Sequence, residues 1–202
     1  MYSASINNLV ASLKKLPSVG QRTAERFVFH WLKSGRLEVN QLREALDTLL
    51  KNTKSCEICW NFDDASPCRL CTDTKRNQGC ICVIADPQDI PALERTGAHR
   101  GVYHVLRGLI EAGDEESLKR SKIRELLLRI KKDLPINKIT EIILALNPDL
   151  PGETTMLFLK REIAKMNPKI KISRLARGLP MGSDLQYADE ITLASALKNR
   201  IY

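Results

Sequence analysis

Residues 56–71 read Cys-Glu-Ile-Cys-Trp-Asn-Phe-Asp-Asp-Ala-Ser-Pro-Cys-Arg-Leu-Cys. The segment holds two Cys-x-x-Cys pairs, Cys56 with Cys59 and Cys68 with Cys71. Two such pairs can present four sulfurs to one tetrahedral ion, and an all-thiolate set leaves no open position for water or substrate. The spacing therefore predicts a structural zinc site rather than a catalytic one. The alternative is a set of reduced or disulfide-paired cysteines.

The chain as a whole has the composition of a globular protein that stays in the cell. Its 202 residues are 43% hydrophobic and 28% charged, which is enough to bury the core of one or two small domains. The start lacks a leader pattern, and no apolar run approaches the roughly 18 residues of a membrane span. The remaining cysteines, Cys80 and Cys82, lie in a short apolar run. We expect a cytoplasmic protein with no membrane contact, in which these two thiols are reduced and pack in the core, with Cys80 near enough to the pairs to act as an occasional substitute ligand.

The charge balance indicates an acidic partner. The formal net charge is +8, and residues 1–55 hold nine Lys and Arg against four acids. Nucleic acid is the commonest acidic partner of such a basic chain. We therefore expect the amino-terminal segment to bind DNA.

That segment has the pattern of two helices joined by a short turn. Apolar residues recur at helical spacing over residues 6–16, and a Pro-Ser-Val-Gly turn follows. In the second helix Arg22, Arg26 and Lys33 fall on the face opposite the apolar one. We expect Gly20 to permit the tight turn, so that the free N–H groups of the second helix meet a DNA phosphate without reading bases. The alternative is a plain helical hairpin with a solvated basic face.

From residue 78 onward, short apolar runs alternate with helical patterns. This alternation predicts an α/β domain with a largely parallel, covered sheet. The strands are predicted at residues 81–85, 101–106, 141–146 and 169–173. The helices are predicted at residues 87–95, 123–132, 152–166 and 192–198.

Acidic residues follow two of these strands. Asp86, Asp89, Asp149 and Glu153 lie where the carboxyl ends of parallel strands place ligands, and carboxylates there could hold Mg²⁺ for phosphoryl chemistry. The alternative is helix capping, which we expect for Asp89 and Glu153.

The order of these motifs resembles the bacterial RecR family of recombination mediators, over about residues 6–198. The resemblance is carried by Leu-Pro-Ser-Val-Gly-Gln-Arg-Thr-Ala-Glu-Arg at 16–26, the four cysteines, Glu-Arg-Thr-Gly at 94–97, Tyr-His-Val-Leu at 103–106 and Ala-Arg-Gly-Leu-Pro-Met-Gly-Ser-Asp-Leu at 176–185. It implies a helix-hairpin-helix domain at 1–53, a zinc finger at 54–77, a Toprim domain at 78–176 and a swapped carboxyl-terminal segment for oligomerisation at 177–202.

The same resemblance implies a ring-like homotetramer that encircles DNA. Its implied partners are RecO and RecF, with which it promotes the loading of RecA on gapped or single-stranded DNA. Departures from the Toprim pattern concern the metal: Ala85 stands where an acidic residue is usual, Asn147 begins the second acidic motif, and Pro151 replaces the family's acid before Gly152. With these positions emptied we expect no catalysis.

The sequence thus favours a non-enzymatic DNA clamp. In this hypothesis zinc is held by four cysteines (Cys56, Cys59, Cys68, Cys71). DNA is met by a basic hairpin (Gly20, Arg22, Arg26, Lys33), and three acids are candidate partner contacts (Asp86, Asp149, Glu153). Two other hypotheses stay open, a Mg²⁺-dependent Toprim enzyme acting on nucleic acid and a zinc-dependent protein adaptor with weak DNA affinity.

Overall fold

A computed structural model describes residues 2–134 and 138–200 and divides them into two compact units. The first ends at Thr53 and the second begins at Lys54. The finer boundaries predicted inside the second unit stay predictions. Residues 1 and 202, the predicted outer limits of the first and last domains, lie outside the described residues.

The first unit consists of three helices, α1 (Ala4–Leu13), α2 (Gln21–Ser34) and α3 (Arg36–Asn52). Its small core is formed by Val10 of α1 with Ala24 and Val28 of α2, as the helical spacing requires. Both predicted helices are present, whereas α3 was not predicted.

The cysteine segment opens the second unit. The two-residue strands β1 (Lys54–Ser55) and β2 (Phe62–Asp63) pair antiparallel around the first Cys-x-x-Cys turn, and the short helix α4 (Arg69–Thr72) follows the third cysteine. Because these elements are very short, the segment depends on its cysteines and on the neighbouring sheet for its shape.

The main sheet has four parallel strands, which confirms the predicted class. They are β3 (Asn77–Ile84), β4 (Gly101–Val105), β5 (Glu141–Ala145) and β6 (Lys171–Arg174), in the order β4-β3-β5-β6. In register, Ile81 of the central strand β3 lies between Val102 and Ile142. The carboxyl ends of the strands therefore meet along one rim of the sheet.

Both faces of the sheet are covered. The larger core packs α7 (Ile123–Asp133) and α8 (Leu150–Met166) on one face, and α5 (Asp89–Arg95) covers the other. The short helix α6 (Glu115–Arg120) precedes α7, and α9 (Glu190–Lys198) lies near the carboxyl terminus. Within residues 2–134 and 138–200, every helix is too short or too polar to cross a bilayer.

Candidate metal centre and nucleic-acid interface

The four predicted zinc ligands come together in one cluster. The Sγ atoms of Cys56, Cys59, Cys68 and Cys71 all lie within 4.8 Å of one another. The Cys56–Cys71 and Cys59–Cys68 sulfur pairs are 3.9 and 3.5 Å apart. A tetrahedral zinc with ordinary Zn–S bonds needs sulfurs about 3.8 Å apart, so the donor set fits this ion.

Local backbone geometry holds the knuckles in place. The N–H of Trp60 donates to the Cys56 carbonyl oxygen (2.9 Å), and the N–H of Cys68 points at the Cys56 sulfur (3.3 Å). Trp60 takes a left-handed φ of 64°, which closes the first turn. The adjacent sulfur of Cys59, followed by that of Cys68 and by burial, raises the pKa of the Cys71 thiol well above its usual range. A cation is therefore needed to hold four ionised sulfurs this close together.

The basic face predicted on α2 is present. Arg22, Arg26 and Lys33 are exposed, while Ala24 and Val28 on the opposite face are buried. The stripe from Arg22 to Lys33 extends about 16 Å along the helix. Among the described residues, none of these three cations has an ion-pair partner closer than 4.0 Å. The stripe is thus free to contact phosphates.

Gly20 does not have the role predicted for it in the turn. Its φ of −85° is open to any residue, and the left-handed residue of the turn is Ser18, with φ of 61°. Gly20 is the N-cap of α2. A Cβ built on it meets no described atom within 4 Å, and no described side chain caps this helix start. Its contribution is an unobstructed approach to the helix N-terminus.

The carboxylates at the rim of the sheet are largely engaged within the chain. Asp149, rather than the predicted Glu153, is the N-cap of α8 and accepts from the Gly152 N–H (2.8 Å). Glu153 forms ion pairs with Arg174 (3.4 Å) and Arg177.

Asp89 also acts locally, as its carboxylate accepts from the Asp86 N–H (3.2 Å) at the start of α5. Asp89 and Glu153 both line a cavity of about 310 Å³ beside the end of β5. Two of the predicted acids, Asp89 and Glu153, therefore lie at one cavity. Glu153 is paired with arginines there and is not free to bind a metal ion.

The two cysteines outside the cluster follow the packing interpretation. Cys82 is buried on the α5 face of the sheet, and burial raises its pKa to about 12. Cys80 is partly buried, and the Sγ atom of Cys80 is 4.0 Å from a carboxylate oxygen of Glu141. Neither belongs to the metal-binding cluster.

One polar cluster was missed by the sequence reasoning. Glu94 accepts from the Tyr103 hydroxyl (2.6 Å) and from both terminal nitrogens of Arg76, which also donates to the Gly101 carbonyl (3.1 Å). Arg76 holds the pKa of Glu94 below its usual range. Glu94 opens the Glu-Arg-Thr-Gly motif and Tyr103 opens the Tyr-His-Val-Leu motif. The presence of both residues in quoted motifs was the signal in the sequence that pointed to this cluster.

Comparison with known families covers nearly the whole chain. Family models for the RecR helix-hairpin-helix, the RecR four-cysteine zinc finger domain, the Toprim domain and the RecR C-terminal segment match residues 6–50, 53–73, 79–176 and 178–201. Together with the sulfur geometry, the second of these matches identifies the chain as a zinc-binding protein.

Curated relatives agree along their full length. The "Recombination protein RecR" of Moorella thermoacetica is 43% identical over 199 residues, which are 98% of this chain and 97% of the relative. The proteins of the same name from Tropheryma whipplei (strain Twist) and Synechococcus sp. (strain JA-3-3Ab) are each 40% identical, over 100% and 99% of this chain and 99% and 98% of the relatives. The chain therefore belongs to the RecR family of recombination proteins.

Proposed function

We propose that this protein is a sequence-independent DNA-binding mediator of recombinational repair. It works with RecO and RecF to promote the loading of RecA on gapped or single-stranded DNA. The observation that carries the DNA-binding part is the exposed stripe of Arg22, Arg26 and Lys33 beside the open N-terminus of α2. Cations and free N–H groups contact phosphates but carry no base information, which fits a protein that acts wherever a gap arises.

The four clustered cysteines hold a structural zinc ion in this proposal. All four positions of a tetrahedral ion are filled by sulfur, so the metal stabilises the fold and has no position for a reactant. A cytoplasmic location belongs to the same proposal, because thiols stay reduced and available to metal in that compartment.

In this proposal the protein is not an enzyme. Ala85 and Asn147 follow the central strands where a Toprim metal would need carboxylates, Asp149 caps a helix, and Glu153 is neutralised by arginines. Too few oxygens are left to hold Mg²⁺ against a phosphoryl group. Asp86, which is exposed, is the best of the three candidate acids for a contact with a basic partner surface.

We expect the working form to be a homo-oligomer, with a ring-like tetramer as the form that encircles DNA. In the single chain α3 buries none of its described residues, and the carboxyl-terminal segment exposes several large apolar side chains. These are Met181, Leu185, Tyr187 and Ile191. Exposed apolar surface at both ends of the chain is the type of surface that copies of one protein cover in each other.

Fluorescence anisotropy with single-stranded, duplex and gapped DNA tests the proposal. The parent is compared over a salt series with Arg22→Ala/Arg26→Ala. A matched control, Arg124→Ala/Lys131→Ala, removes the same charge from exposed positions of α7. We expect salt-dependent binding whose slope falls by about one for each α2 arginine removed, equally for all sequences.

The control should keep most of the parent's affinity. Equal losses in both double variants would mean that only net charge matters and would overturn the assignment of the α2 face. Absence of binding by the parent at moderate salt would overturn intrinsic DNA binding and favour the adaptor hypothesis, in which RecO brings the protein to DNA.

A further inference from the structure

An aromatic residue lies within the basic stripe of α2. Phe29 follows Arg26 by three residues and precedes Lys33 by four, so its side chain is a neighbour of both cations on the helix surface. Together with Arg22 they fall within about 60° around the helix axis. The apolar residues of an amphipathic helix normally gather on the face that packs in the core. The amphipathic pattern of α2 therefore does not account for Phe29.

The core of the helical unit does not include the Phe29 ring. That core is formed by Val10, Ala24 and Val28, and among the described residues Phe29 is not one of the side chains packed against it. Phe29 instead contacts Tyr2, with ring centroids 5.2 Å apart and ring planes at 63°. In this edge-to-face arrangement each ring keeps at least one face off its partner. Tyr2 is 44% exposed and Phe29 is partly exposed, so the pair presents aromatic surface beside the cations.

The backbone around Tyr2 is held in place at the start of α1. The carbonyl oxygen of Tyr2 accepts from the side-chain nitrogen of Asn7 (3.2 Å). The next residue, Ser3, is the N-cap of α1, and its hydroxyl accepts from the Ile6 N–H (3.4 Å). An aromatic ring that is already positioned loses little conformational freedom when a ligand stacks on it. The tyrosine is therefore preorganised for such a contact.

We infer that Tyr2 and Phe29 form a base-stacking site, through which the basic stripe prefers single-stranded DNA to duplex DNA. The inference rests on the proposed function, because the stripe must bind the phosphates before a base can reach the rings. Unpaired bases can stack on aromatic side chains, whereas the bases of a duplex are stacked on each other. Every base has such a face, so the preference adds no reading of the base sequence. The site would thus direct the protein to the unpaired strand of a gap.

Anisotropy with a single strand, a duplex and an abasic deoxyribose-phosphate strand of equal length tests this inference. Tyr2→Leu/Phe29→Leu should weaken single-strand binding by about 10-fold, the lower part of the range for base stacking. Binding to the duplex and to the abasic strand, which offer the same phosphates without free bases, should stay within about twofold. Phe29→Trp keeps a ring and should keep the preference. Phe27→Leu is the matched control, because Phe27 is a 41% exposed aromatic residue of the same helix outside the stripe.

A second pair of variants separates stacking from charge and from folding. Glu25→Gln removes an acid one turn before Phe29 and should strengthen binding to all three DNA forms alike, since charge acts on the phosphates. Tyr2→Leu alone changes a residue that precedes α1 and lies outside the core, so it tests the site even where a change at Phe29 disturbs α2. We expect it to lose about threefold or more in single-strand affinity, part of the stacking contribution.

Three results would overturn the inference, and they differ from failure of the proposed function. The first is an unchanged single-strand preference in Tyr2→Leu/Phe29→Leu while Arg22→Ala/Arg26→Ala still loses binding, which leaves the basic stripe assigned. The second is a loss of duplex and abasic-strand binding as large as the single-strand loss, which would give the rings a packing role. The third is a loss of self-association without a change in DNA binding, which would make the pair an interface between copies. A parent that binds none of the three DNA forms fails the proposed function itself.

Discussion

The helical unit and the sheet unit differ in how much of their apolar surface the single chain buries. The largest core cluster of the sheet unit has sixteen buried residues, whereas the cluster of the helical unit has three. Apolar burial is the main stabilising contribution to folding. The sheet unit therefore receives the larger stabilisation from apolar burial, and the helical unit is the weaker of the two.

The apolar residues of the helical unit are present but uncovered. Five of them form a stripe on α3 at helical spacing, Val39, Leu42, Leu46, Leu49 and Leu50, and all are exposed. An amphipathic helix with an unburied stripe is stabilised only when another surface covers it. The sheet unit thus buries its apolar residues within the chain, whereas the helical unit leaves an apolar stripe uncovered, which is the type of surface that the proposed oligomer would cover.

Loss of zinc should produce the largest effect and should act on the sheet unit alone. Binding of structural zinc contributes on the order of 10 kcal/mol in small zinc fingers. Here the cysteine segment also bonds to the edge strand β4, because the Val105 N–H donates to the Cys59 carbonyl oxygen (2.8 Å). We expect Cys59→Ser to lower the sheet-unit transition in calorimetry and to leave the transition of the helical unit in place. Cys80→Ser, outside the cluster, is the control. A Cys59→Ser protein with parental stability would contradict a structural zinc.

A cavity in the core of the sheet unit should have the second largest effect on stability. Leu159 of α8 is fully buried, and Leu159→Ala should cost about 2–5 kcal/mol of unfolding free energy in urea through lost burial and a cavity. Leu157 on the same helix is 68% exposed, and Leu157→Ala should cost less than about 0.5 kcal/mol in the monomer. Similar losses for both would mean that the sheet unit is not tightly packed.

Acid should destabilise the sheet unit through His104. This residue is fully buried, its Nε2 donates to the Lys122 carbonyl (3.1 Å), and burial, followed by the charge of Arg129, lowers its pKa to about 3. Between that value and the ordinary pKa of about 6.5 the unfolded chain binds a proton that the folded chain does not, so stability falls as pH falls. The slope from this group should be roughly 1.4 kcal/mol per pH unit.

His104→Gln should flatten the pH dependence of sheet unfolding in that window, whatever its effect on stability at neutral pH. His30→Gln, in the helical unit, should leave the sheet transition unchanged and is the control. A pH dependence that survives in His104→Gln would assign it to other groups.

The α3 stripe should govern assembly more than folding. Leu46→Ser/Leu49→Ser places two hydroxyls in the stripe, and we expect a loss of at least about 10-fold in self-association by sedimentation, since central apolar contacts each contribute more than about 1 kcal/mol. Glu44→Gln, on the other side of α3, should associate like the parent. Undiminished association of the leucine variant would place the interface elsewhere.

The smallest effect is expected at Gly20. A Cβ at this position meets open space and its φ is ordinary, so Gly20→Ala should lower the unfolding free energy by no more than about 1 kcal/mol, the cost of a poorer N-cap residue. DNA affinity should fall only as far as the added methyl group keeps a phosphate from the helix N-terminus. A large loss of stability would mean that the turn requires a glycine at position 20, contrary to the ordinary φ of Gly20.

Local patterns predicted the sheet well and its long-range pairings poorly. The four strands were predicted because each is a short apolar run, and the four cysteines because their spacing is itself a metal signature. The ion pairs of Glu153 with Arg174 and Arg177, and the bond of Arg107 to Trp60, join residues more than 20 positions apart. Such pairs follow from strand order, which no local period encodes.

Two misreadings at the amino terminus have simpler causes. The apolar period of α3 was present in the sequence, but between charged residues it was not recognised as a helix. Gly20 was assigned the turn because glycine often takes a left-handed φ, whereas Ser18 takes it here. A residue that permits a conformation is not always the residue that adopts it.

The parallel order β4-β3-β5-β6 also has a consequence for synthesis on the ribosome. The helical unit is made first and uses contacts near in sequence, so it can form early. β3 cannot pair with β5 until Ile142, the register partner of Ile81, has been synthesised. Ile142 lies about 60 residues further along the chain, which is a delay of roughly 3–12 s at ordinary elongation rates. During that interval β3, a central strand of the sheet, has one unpaired edge. The nascent chain is therefore most exposed to misassembly and to chaperones while residues 85–140 are being made.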